Sequence, residues 1–214
     1  MEKLKTLFAH KIFKFIKWAF LILIGLYIIL VIVRVFHFVE QDKINAEVEK
    51  IHNTKLTLDD VMGKNLPPDP GAEADKTVQG VDANNNGIRD DVELAVFKEY
   101  PNSAKTRAVL LQYALALQME VNQKMVNTTT ATEIIREEDR ADTCIADILV
   151  PRKSPESERS DEQMNDIDKY VSFIDKLQIN TNERKQAQKN FYENLRSYNS
   201  MDRTCDIDVS KLPN

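Results

Sequence analysis

From Trp18 to Val33 the chain carries no charged residue, reading Trp-Ala-Phe-Leu-Ile-Leu-Ile-Gly-Leu-Tyr-Ile-Ile-Leu-Val-Ile-Val. A run this apolar must be buried on every side of a protein core or lie in lipid. A bilayer core of about 30 Å needs roughly 20 helical residues, so the run alone is slightly short. Val35, Phe36, Phe38 and Val39 extend it past Arg34, whose long side chain can snorkel to the headgroups from near a helix end. The expectation is a transmembrane helix over residues 18–39. Between Trp18 and Val33 there is no acid, His or Pro, and Gly25 has no GxxxG partner. The span therefore reads as an anchor rather than a transport pathway.

The flanks give the anchor a direction. Lys3, Lys5, Lys11, Lys14 and Lys17 precede it, whereas Glu40 and Asp42 follow it. By the positive-inside rule, residues 1–17 lie in the cytoplasm and the body lies outside it, as in a single-pass protein of a bacterial inner membrane with a periplasmic domain. A cleaved signal peptide would need a small-x-small site after its apolar core. The residues that follow are Arg-Val-Phe-His-Phe-Val-Glu, so an uncleaved signal anchor is expected. Residues 1–39 hold six of the 29 bases and one of the 34 acids, leaving a charge of −10 on residues 40–214. A body of that sign repels phosphate, which argues against a nucleic-acid partner.

Two cysteines, Cys144 and Cys205, fall in the exported part. An even pair in an oxidising compartment reads as one disulfide, the alternative being two buried thiols. With no Cys-x-x-Cys and no His beyond His52, a zinc site is disfavoured.

Residues 40–55 continue with Ile44, Val48 and Ile51 on one helical stripe. Thr57-Leu-Asp-Asp is an N-cap followed by acids. Leu66-Pro-Pro-Asp-Pro-Gly then breaks regular structure, so residues 64–79 are expected to be a linker, and 40–79 a juxtamembrane helix plus linker. The exported domain is expected over 80–214.

All five glycines fall at or before Gly87, which removes the usual turns of strand hairpins from the rest of the chain. Helical periodicity fills it instead. Leu110, Ala114, Leu117, Val121 and Met125 share one face, widened by Ala104, Ala108, Leu111 and Leu115. Ile134, Ile135, Ala141, Cys144, Ile145 and Ile148 mark a second helix, ended by Pro151 and Pro155. Ser160-Asp-Glu-Gln163 is a capping box for a third, with Ile167, Tyr170, Val171, Ile174 and Leu177 on its face. Asn180-Thr-Asn-Glu183 caps a fourth, carrying Ala187, Phe191, Leu195 and Tyr198. The fold class is all-α: a transmembrane helix, a linker, then a compact four- to five-helix domain with an ion loop at its start.

That loop is Asp82-Ala-Asn84-Asn-Asn86-Gly87-Ile88-Arg-Asp90-Asp-Val-Glu93. Counting Asp82 as position 1, oxygen side chains stand at 1, 3, 5, 9 and 12, with glycine at 6 and the Ile88 carbonyl at 7. Hard cations such as Ca²⁺ take six to eight oxygens, and this spacing wraps them around one point. Asn-Asn-Asn-Gly is also a plain turn, and Asp90-Asp-Val-Glu93 alone spells a capping box for a helix starting at Asp91. Capping does not account for acceptors at 82, 84 and 86. With only Asp82, Asp90 and Glu93 charged, a single site of modest affinity is expected.

At these residues the segment resembles the DxDxDG calcium loops of the EF-hand and thrombospondin type 3 groups. The second is closer, because Ile88 is apolar at position 7 and Asp90 occupies position 9. Together with Pro-Pro-Asp-Pro-Gly before it and an Arg-Asp-Asp-Val-Glu helix start, the stretch 67–120 is similar to bacterial envelope proteins carrying one such loop. That resemblance implies an address and an ion but no activity.

No GxSxG, HExxH or phosphate-cradling loop occurs, and the only histidines are His10, His37 and His52, so an enzyme is not expected. Acid pairs such as Glu137/Glu138 and Asp90/Asp91 read as solvated helix faces. The functional expectation is a membrane-anchored envelope protein whose calcium-stabilised helical domain binds another envelope or exported protein. The alternative is a membrane-tethered periplasmic chaperone, foldase or inhibitor of an exported enzyme or toxin, an analogy of layout alone.

Overall fold

A computed structural model describes residues 2–122, 126–154, 156–199 and 205–213, with side chains in the first helix described from Lys14 onward. Met125 and Pro155, and the side chains of Lys3, Lys5, Lys11 and His10, lie outside the described residues. The described chain is all-helical. Its helices are α1 Glu2–Asn53, α2 Leu58–Val61, α3 Asp90–Glu99, α4 Ala104–Val121, α5 Thr128–Leu149, α6 Asp161–Gln178 and α7 Asn182–Asn194, with short 3₁₀ turns at Gly71–Asp75 and Val209–Lys211. Two compact units result, Met1–Ala46 and Glu47–Asn214.

The first unit holds one helix long and apolar enough to cross a membrane, and its most apolar stretch buries nothing within the protein. Phe15, Trp18, Leu23, Tyr27, Leu30, Val33 and Phe36 all point outward, each more than half exposed. So much uncovered apolar surface on one helix needs lipid or another apolar cover. The Arg34 guanidinium lies 5.1 Å from the Phe38 ring, toward the polar end of the run.

The second unit is built around α4. Ser103 starts it by accepting the Thr106 N–H, and every residue of α4 except Lys105 and Thr106 is buried. The face expected from Leu110, Ala114, Leu117 and Val121 has spread round the whole helix, because α2, α3, α5, α6, α7 and the 209–211 turn all pack on it. Its alanines permit that close approach from several sides. Asn127 and Ser160 cap α5 and α6 through complete capping boxes. At α7 the cap is Thr181 rather than Asn180, and the helix stops at Asn194 with Leu195 extended. Of the expected last face, Phe191 enters the core while Tyr198 stays at the surface.

The stretch read as a linker is not free of the body. Pro67 and Ala74 are buried, and the fully buried Arg184 of α7 donates to the carbonyls of Val78 (3.0 Å), Thr77 (3.1 Å) and Ala74, and to Asp75. Proline forbids helix in this segment, as expected, but buried carbonyls still require donors, and a long arginine reaches them. The second compact unit, Glu47–Asn214, includes this stretch. Cys144 and Cys205 form a disulfide with a Cα separation of 5.5 Å. It holds the C-terminal tail where the Asp206 carboxylate accepts the Leu56 N–H at 2.9 Å and pairs with Arg140 at 2.7 Å.

Candidate metal centre

Residues 82–93 fold as a loop wound around its own side-chain oxygens. Asp82 accepts the Asn86 N–H through Oδ1 (3.1 Å) and the Gly87 N–H through Oδ2 (3.0 Å). Asn86 Oδ1 accepts the Ile88 N–H at 2.9 Å. Two left-handed residues make the winding possible, Asn85 at φ 57° and Gly87 at φ 86°. A Cβ on Gly87 would stand 2.8 Å from a Leu115 methyl, so both backbone and space demand glycine.

Asp90 and Glu93 bear on the capping box that the sequence spells here. The helix starts at Asp90, and Arg89 at its N-cap makes no side-chain cap bond. Instead of capping, Asp90 turns back to accept the Ala83 N–H at 3.0 Å, and Glu93 accepts the side-chain amides of Asn84 (3.0 Å) and Asn86 (3.1 Å) on Oε2. The capping box spelled by Asp90-Asp-Val-Glu93 is thus not formed, and both carboxylates belong to the loop. Ile88 sends its side chain into the core with no exposure, leaving its backbone to the loop.

The loop holds a buried deficit. Glu93 is fully buried, and its Oε1 has no hydrogen-bond partner. Burial pushes its carboxyl up to about 7, against the two asparagine bonds that favour the charge, and nearby Asp60 and Asp90 push the same way. Burial likewise raises Asp90. A buried acceptor without a donor costs about 1–3 kcal/mol, and more when charged. Asp82, Asn84, Asn86, Asp90, Glu93 and the Ile88 carbonyl are the oxygen donors that could hold a hard divalent cation here. Among the described residues no three of His, Cys, Asp and Glu cluster as a metal group on their own. Asp82, Asp90 and Glu93 are thus not gathered as such a group, and Asp82 and Asp90 each accept backbone N–H groups.

The loop opens onto a cleft of about 700 Å³ whose walls include Asp82, Asn84, Asn86, Leu115, Lys50 and Asp60. Asp60 has no counterpart in the sequence motif. It is buried in α2, and only the Thr57 cap hinted at it.

A second acidic site escaped the sequence reading. Glu120 of α4 is buried, accepting from Tyr192 (3.2 Å) and Gln188 (2.8 Å), and it hydrogen-bonds Glu138 of α5. Burial and the Glu120 carboxyl push Glu138 up to about 10, and burial raises Glu120 as well. Both shifts favour one proton held between the two carboxyls. Glu137 is not solvated either, since it pairs with Arg140 and with Lys55 at 2.7 Å. The available signal was that Glu120 is the one acid of α4.

No family model matches the chain, and neither the curated proteins nor the solved structures contain a detectable match.

Proposed function

We propose that this is a single-pass anchor protein of a bacterial inner membrane, with its N-terminus cytoplasmic and a calcium-stabilised helical domain in the periplasm that binds another envelope or exported protein. The observation that carries the calcium reading is Glu93 Oε1, buried and without a hydrogen-bond partner in a loop rich in carboxylate and amide side chains. The address rests on the exposed apolar helix and the five lysines before it. The disulfide suits an oxidising compartment. The interaction role rests on layout: an apolar anchor helix and a disulfide-stapled helical body.

Isothermal titration of the full chain in detergent tests the ion. One site per chain is expected, with affinity at about 0.1–1 mM as in extracellular modules, and Asp82→Ala abolishes it. No heat up to about 10 mM calcium overturns the reading. Capture from membranes with and without chelator then separates the roles. Partners lost on chelation fit the calcium-dependent module, whereas one stable partner in both conditions fits a tethered chaperone or inhibitor.

A further inference from the structure

We infer that Asp60, outside the 82–93 spacing, contributes a further carboxylate to the cation held by that loop, so that metal binding fastens residues 57–66 to it. This rests on the calcium reading and adds a ligand the motif does not contain. Asp60 is 7% exposed and has no ion pair among the described residues. Its Oδ2 accepts both the N–H (2.9 Å) and the hydroxyl of Thr57, and no described residue donates a hydrogen bond to Oδ1. It shares the cleft wall with Asp82, Asn84 and Asn86. The two segments already touch, since the Asn84 amide donates at 3.0 Å both to the Asn65 carbonyl and to Glu93.

Electrostatics points the same way. Asp60 and Glu93 are both buried, neither has a cationic partner among the described residues, and the Asp60 charge disfavours charging Glu93. A divalent cation between α2 and the loop relieves both. It also raises the charged ligands from three to four, and ligand charge is one of the determinants of calcium affinity.

Calcium titrations of the full chain in detergent compare wild type with Asp60→Asn, Thr57→Val and Asp82→Ala. Asp60→Asn is expected to weaken binding about tenfold or more, as loss of one charged ligand should. Thr57→Val removes the same helix cap but keeps the carboxylate, and is expected to stay within about twofold of wild type. A second readout needs no variant at position 60. Lys64 is exposed at the end of this segment, so calcium should slow trypsin cleavage after Lys64 relative to chelator. Wild-type affinity in Asp60→Asn, or equal cleavage at Lys64 in both conditions, overturns the inference while leaving the loop reading intact if Asp82→Ala still abolishes binding. No calcium binding by wild type overturns both.

Discussion

Single residues organise the body from inside. Arg184 is fully buried and spends its guanidinium on the carbonyls of Ala74, Thr77 and Val78 and on Asp75 and Asn180. Arg184→Ala should cost about 3–5 kcal/mol, because it strands several buried acceptors at once. Arg184→Lys should rescue little, since an ammonium cannot span that fork of partners. Urea unfolding measures both, and a loss under about 1 kcal/mol for the alanine variant contradicts this role. In the sequence Arg184 looks like an ordinary exposed residue in the first turn of a polar helix. Nothing local tells that a segment over a hundred residues earlier would close over it. Asp82, Asn84, Asn86, Asp90 and Glu93 were legible for the opposite reason: their relation is set by spacing within twelve residues. Asp60 was not, because its place beside Glu93 depends on how α2 packs.

At the scale of elements, the caps were readable and the burial was not. Ser160 starts α6 where its capping box predicts, and α7 starts at Thr181, one residue past the expected cap. The depth of α4 depends on five other helices meeting around it, which periodicity on one face does not express. That depth is what perturbs Glu120 and Glu138, the carboxyl pair joining α4 to α5, with Tyr192 and Gln188 of α7 closing over Glu120. Glu138 is raised from 4.5 to about 10 in the folded protein, so folding takes up a proton. The stability this contributes is complete below the unfolded value and is lost as pH rises toward the folded one. Thermal midpoints of the calcium-free protein should therefore fall steadily between pH 5 and 9, two values inside that window. In Glu138→Gln the slope should flatten, because a neutral amide needs no proton. A wild-type curve that is flat or rises over this range contradicts the shared proton.

For the whole molecule, the net charge of −5 hides a division between a basic, apolar N-terminal stretch and an acidic body. The sequence was enough to see that division and the helical class. The prolines of 67–70 suggest a spacer, whereas Pro67 is buried and Arg184 bonds the backbone of residues 74–78, contacts that no local pattern expresses. The body is closed at its other end by the Cys144–Cys205 bridge, which encloses a separation of 61 residues and brings Asp206 to Leu56 and Arg140. Such a crosslink contributes about 4 kcal/mol in the chain-entropy account. Within this braced frame the 82–93 loop keeps a fully buried carboxylate oxygen without a partner. Amide hydrogen exchange of the full chain in detergent, with about 5 mM calcium or with chelator, tests the central claim most directly. Calcium is expected to slow exchange across residues 82–93, with smaller changes in helices remote from the loop. Identical exchange of the 82–93 amides in the two conditions would contradict it.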